Sequence, residues 1–241
     1  MSEENQGVQG RTIVNVPVLN LSTISSADEL SHISAIENVG MILVPEEFVG
    51  AVSLIPMKNV GGIHGVAQGE KVRVNTLVGQ LTLTGDVLQN PDELVALAGT
   101  ISFVGPLTSV KCRLVVAGQL IAPEESRQAI SAALLFVGGQ IFYYKGKALR
   151  TSFGTQTLGR EFLSYLSEPT AFFAMGALFI EDDVTPDIFR EKVADIISMG
   201  AIIAPKALHP VIQAVCSQQF GALVDSAKGG DEGENEDDDA D

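Results

Sequence analysis

Tryptophan is absent, aromatic residues make up 6% of the 241, and cysteine and histidine occur only 2 and 3 times. The aromatic scarcity removes the stacking platforms on which sugar-reading and base-reading proteins rely. Cys112 and Cys216 stand far apart, with no CxxC spacing and no adjacent histidine. Two buried thiols in a reducing compartment are therefore expected, not a disulfide frame or a metal site. His32, His64 and His209 form no HxH or HExxH pair, and no GxSxG elbow offers a nucleophile. There are 24 glycines, yet neither GxxxxGK[ST] nor GxGxxG followed by a helix occurs, so nucleotide binding is not supported and no cofactor is expected.

Positive charge is also in short supply. The chain has 15 Lys and Arg against 30 Asp and Glu, a net charge of -15. A field of that sign repels phosphate, and neither nucleic acid nor an anionic membrane surface is expected as a partner. Eight of the acids lie in residues 231–241; without them 22 acids face 15 bases. Long apolar runs are missing as well. Residues 130–144 and 171–180 are too short, or too broken by glycine, for a membrane span of about 20 helical residues. Residues 1–10 are polar, with no basic segment leading into an apolar one. A soluble, cytoplasmic protein is expected.

What the chain does contain is apolar material, 46% of residues, and glycine in a rhythm. Glycine, any residue, then Ile or Leu recurs at Gly40, Gly61, Gly79, Gly99, Gly118, Gly139, Gly176 and Gly200, in steps of 21, 18, 20, 19, 21, 37 and 24. Each stands in a short apolar context such as Ile42-Leu43-Val44, Ile101-Ser102-Phe103 or Leu178-Phe179-Ile180. Strands this short cannot bury their faces alone and must stack on their neighbours, with glycine permitting close backbone approach. Asn38 and Asn59, two residues before their glycines, and Gln80, Gln119 and Gln140, just after theirs, read as stacked structural amides.

The connections alternate. Pro45-Glu46-Glu47, Pro91-Asp92-Glu93 and Pro123-Glu124-Glu125 read as helix starts, since proline and carboxylates suit a first turn. Residues 72–74, 110–116 and 148–153 read as extended returns. Residues 26–36 read as a capped helix opened by Ser26 and Glu29, and residues 184–198 and 205–217 as cap helices covering the last strand edges. The expected fold is thus an α/β solenoid: stacked coils of about 20 residues with short parallel strands, alternating helical and extended returns, and helical caps. Its expected limits are an N-terminal segment over residues 1–26, one solenoid domain over 27–217, and a disordered acidic tail over 218–241. Leu94-Val95-Ala96-Leu97-Ala98-Gly99 carries the first leucine spacing of the leucine-rich-repeat motif, and in its coil length and variable return the chain resembles that family. The resemblance implies architecture alone. The asparagine which that family places after its strand is missing in every coil, and no functional residue is carried across.

One surface feature stands out. Lys71 and Arg73, then Lys111 and Arg113, then Lys145, Lys147 and Arg150 account for 7 of the 15 basic residues. The first two pairs are 40 residues apart, so stacked coils would align them as a basic stripe, with Val72, Val74, Cys112 and Leu114 turned inward. The stripe is either a solvated face balanced by the acidic helix starts, or a dock for an acidic protein partner, including the tail of this chain or of a neighbouring subunit. Glu181-Asp182-Asp183 is the densest internal acidic cluster and fits a helix N-terminus better than a hard-cation site. The expected function is a non-enzymatic structural or scaffold protein that self-assembles or binds protein through its surface and edges. The alternative is an enzyme or ligand-binding protein with a site assembled from isolated residues near the C-terminal coils, Glu181, Asp183 and His209 among them.

Overall fold

Runs of Val, Ile, Leu and Phe flanked by glycine favour extended chain over helix, and the computed structural model is 51% strand and 22% helix. It describes residues 10–84 and 88–228. The chain divides into two units, Met1–Tyr143 and Tyr144–Asp241.

The first unit holds two parallel sheets. One contains β1 (Arg11–Asn20), β2 (Ile33–Pro45), β3 (Met57–Val60) and β4 (Ile63–Val66), with β2 pairing β1 on one side and β3 and β4 on the other. The second contains β5 (Lys71–Leu83), β6 (Glu93–Phe103), β7 (Arg113–Pro123), β8 (Leu134–Val137) and β9 (Gln140–Tyr144). Because successive side chains on a strand face opposite ways, these sheets separate three apolar layers. Ile36, Val39, Ile42 and Val44 pack with Leu30 and Val52 on the outer side of the first sheet. Val18, Met41, Leu43 and Val66 meet Leu94, Ala96, Ala98 and Val115 between the sheets. Val95, Leu97, Leu114 and Val116 pack with Leu88, Phe103 and Ile130 on the far side of the second.

Helices in this unit are short. Pro45 and Pro123 each open a single tight turn that runs into α1 (Val49–Val52) and α2 (Arg127–Ala133).

The second unit is built on one parallel sheet. β10 (Ala148–Leu158) pairs β11 (Thr170–Ile180), which pairs β12 (Val193–Ser198) and β13 (Ile202–Ala204); these pair β14 (Cys216–Gln219) and β15 (Leu223–Asp225). α3 (Arg160–Ser164), α4 (Pro186–Lys192) and α5 (His209–Val215) contribute Leu163, Phe189 and Ile212 to the core over Phe172, Leu178, Ile196 and Ile202.

A single solenoid of stacked coils is not what forms. The strands belong to three separate parallel sheets in two units, and six of them run 11 to 13 residues straight through their glycines. The spacing of about twenty residues is the step between neighbouring strands within a sheet, which looks the same in sequence. The alternating returns and helical caps change with it. Pro91-Asp92 leads directly into β6. Residues 193–198 and 216–219 are strand, since their apolar residues find parallel partners. Residues 27–30 make only a single 3-10 turn, with Glu29 accepting from the Ser26 N–H. The leucine-rich-repeat likeness goes too: Leu94 and Leu97 lie on opposite faces of β6, in different apolar layers.

β1 lies within the stretch expected as an N-terminal segment, and β15 within the one expected as a tail. Residues 229–241, with the eight tail acids, lie outside the described residues.

Candidate functional site

The basic residues are placed by strand register. Arg73 lies opposite Val95, which lies opposite Leu114; Arg113 lies opposite Leu94, which lies opposite Val72. The two arginines therefore occupy opposite faces of the second sheet. Two register steps carry Arg73 to Leu114, one residue past Arg113, and one residue turns a side chain to the other face.

Each guanidinium has its own carboxylate. Arg73 Nη2 stands 3.0 Å from Glu93 Oε2, and Arg113 Nη1 donates to Glu70 Oε2 at 2.7 Å. Glu70, whose side chain is only 8% exposed, also accepts from the Ala67 N–H at 3.1 Å. These charges are balanced where they stand. Lys71 and Lys111 remain exposed at the strand starts.

Lys145, Lys147 and Arg150 belong to the second unit and are exposed. The two lysines precede β10, and the Arg150 guanidinium lies 5.3 Å from the centre of the Phe162 ring. Arg150 lines an open depression of about 310 Å³ with Leu149, Tyr165, Ser167, Glu168 and Thr170. So the structure groups Lys145, Lys147 and Arg150 at the start of one edge strand, and separates Arg73 from Arg113.

The acids and histidine of the alternative reading serve local structure. Asp183 accepts from the Arg160 N–H at 3.0 Å, at the start of α3. The Glu181 carboxylate occupies the space a Cβ on Gly159 would need. His209 Nε2 lies 3.1 Å from the Ala204 carbonyl. The N-cap of α4 is Thr185. Among the described residues, no group of three or more His, Cys, Asp and Glu is gathered as a metal ion would require. Burial pushes both free thiols, Cys112 and Cys216, above the ordinary cysteine range and so away from the reactive thiolate. His64 packs on Phe136 with ring centroids 4.6 Å apart; burial first, then the Arg113 charge, holds its imidazolium below the ordinary range.

Stacked amides occur in the first sheet. Asn38 Nδ2 donates to Asn15 Oδ1 at 3.1 Å and Asn59 Nδ2 to Asn38 Oδ1 at 2.9 Å, all three at φ between 54° and 58°. Asparagine tolerates that left-handed backbone better than other residues with a side chain. Asn15 has Pro17 two residues on, where Asn38 and Asn59 have glycine, and so falls outside the glycine rhythm. The signal was nonetheless present as Asn15-Val16-Pro17, Asn38-Val39-Gly40 and Asn59-Val60-Gly61.

The sheets also leave strand edges. β1 and β10 are each paired on one side only among the described residues, and Val14, Asn15 and Pro17 of the first and Phe153, Gly154 and Thr155 of the second are exposed. No protein-family model, curated protein or solved structure matches the chain. No helix among the described residues is long and apolar enough to cross a membrane.

Proposed function

We propose that this protein is a non-enzymatic structural subunit that assembles with further copies of itself through its sheet edges. The observation that carries the reading is the exposed, one-sided pairing of β10. An edge strand presents a row of unpaired N–H and C=O groups, the template on which another strand adds. Many edges are blunted by being very short or by a bulge; β10 is 11 residues long and in unbroken register with β11 from Ala148 to Leu158.

Charge supports the same reading. Lys145, Lys147 and Arg150 lie at the start of this edge, and the chain carries 8 acids in residues 231–241. An acidic segment of a neighbouring subunit is the partner that this cluster would attract, with a strength that falls as salt screens it.

Light scattering on the purified protein over a hundredfold concentration range, at low and high salt, tests the proposal. A dimer or larger species is expected, with some dependence on salt. A monomer under every condition would overturn it.

A further inference from the structure

We infer that the sheet of the second unit continues from one copy into the next, with β10 of one molecule pairing in parallel along β14 and β15 of another. This rests on the reading of the protein as a self-assembling subunit and names the two surfaces that meet.

The first support is a row of glycines. Gly154 in β10, Gly176 in β11, Gly200 between β12 and β13, and Gly221 between β14 and β15 occupy equivalent places in successive layers of the sheet, as the registers Gly154↔Gly176, Leu178↔Ile202 and Ile202↔Leu223 require. A Cβ on Gly176 would strike the Gly154 carbonyl, one on Gly200 the Gly176 carbonyl, and one on Gly221 the Gly200 carbonyl. Each later glycine thus makes room for the carbonyl of the strand before it. Gly154 makes the same room, and nothing lies within 4 Å of the place its Cβ would take. Its φ of +103° suits glycine on its own account, so the open space gains its meaning from the matching side chains that flank the row.

The first sheet supplies the contrast. There the same row runs through Gly40 and Gly61, and a Cβ on Gly40 would meet the Pro17 carbonyl at 2.7 Å. At that place β1 has Pro17, opposite Gly40, a residue that carries a Cβ where the later members of the row have none and that has no N–H to offer a further strand. One initial edge is closed by a side chain, and the other is left open.

The residues beside the glycines match across the two surfaces. One place before the glycine, the row reads Phe153, Met175, Met199 and Phe220. Its two ends, Phe153 and Phe220, are 50% and 57% exposed, unusual for phenylalanine. Continuing the register by one strand sets Phe153 of one copy beside Phe220 of another, and Gly154 over Gly221. Gln219, Phe220, Gly221 and Ala222 are all exposed. Charge agrees with this direction. Lys145, Lys147, Arg150 and Arg160 lie on or next to β10, while Asp225 ends β15 and leads into the acidic tail. The contact joins two different surfaces, so it generates a ring or an open chain of copies.

The test uses the full chain in a Cys216→Ser background. One preparation carries Phe153→Cys and the other Phe220→Cys, and the two are mixed under mild oxidation. A disulfide-linked mixed dimer is expected, well above the level of either like pair. Predominant linkage of Phe153→Cys to itself would mean antiparallel pairing of two β10 strands and would overturn the inference, as would the lack of any mixed product. In parallel, Phe153→Lys is expected to reduce the assembled mass to that of the monomer, with the circular dichroism of the wild type and cooperative thermal unfolding at a temperature no higher than that of the assembled wild type. A wild type that assembles, alongside a folded Phe153→Lys that assembles equally, removes this pairing and leaves the assembly reading standing. A wild type that never assembles removes both.

Discussion

At the scale of single residues, backbone shape decides more than side-chain chemistry. Gly118 has φ +142°, and a Cβ there would run into the Gly99 backbone. Gly118→Ala is expected to cost more than about 2 kcal/mol, because strain and a backbone clash add; urea unfolding would measure it. Asn38 separates two contributions in the same way. Asn38→Ala loses both amide bonds and keeps an unfavourable left-handed backbone, about 2 kcal/mol together, whereas Asn38→Gly relieves the backbone and should cost roughly half as much. Equal losses would mean that backbone conformation contributes nothing at this position. His64 gives the chain an acid sensitivity. With a folded pKa held below the unfolded one, it contributes stability that is fully present above the unfolded value of about 6.5 and declines as pH falls through it. The urea midpoint of wild type should therefore fall between pH 7.5 and 5.5 by more than that of His64→Leu. An identical fall in both would rule out His64 as the cause.

At the scale of elements, periodicity was readable and element type often was not. Residues 193–198 fit an apolar helical face through Val193, Ile196 and Ile197, yet they form β12, because β11 and β14 offer parallel partners on both sides. Such a short apolar run has no intrinsic preference strong enough to resist that pairing. Pro45 and Pro123 do start helices, but Pro91 precedes a strand: proline marks a break in the chain without fixing the type of the next element. Asp195 shows how the sheet is tied to its connections. Its buried carboxylate accepts from the N–H groups of Lys145 at 2.9 Å and Ser217 at 3.1 Å, while burial raises its pKa. Asp195→Asn replaces one of those acceptors with a donor facing an N–H, and a loss of about 1–3 kcal/mol in unfolding free energy is expected. An unchanged stability would show that water takes over that contact.

At the scale of the whole molecule, the acidic tail is the part whose removal should change association and not folding. Deleting residues 229–241 removes 8 of the 30 acids. It is expected to leave the melting temperature within about 2 °C of wild type while making self-association less sensitive to salt; sizing at two salt concentrations checks the second point. The sequence by itself determined the parallel-strand spacing, the amide row at Asn38 and Asn59, the charge asymmetry and the absence of a recognisable catalytic motif, since all of these depend on local residue type and interval. Only the tertiary structure decided how the strands divide among three sheets, which carboxylate each arginine meets, and that Arg73 and Arg113 face opposite ways. These depend on register, and register is set by how apolar layers close against one another across long stretches of chain. A shift of a single residue, invisible in a spacing of 40, moves a charge from one face of a sheet to the other.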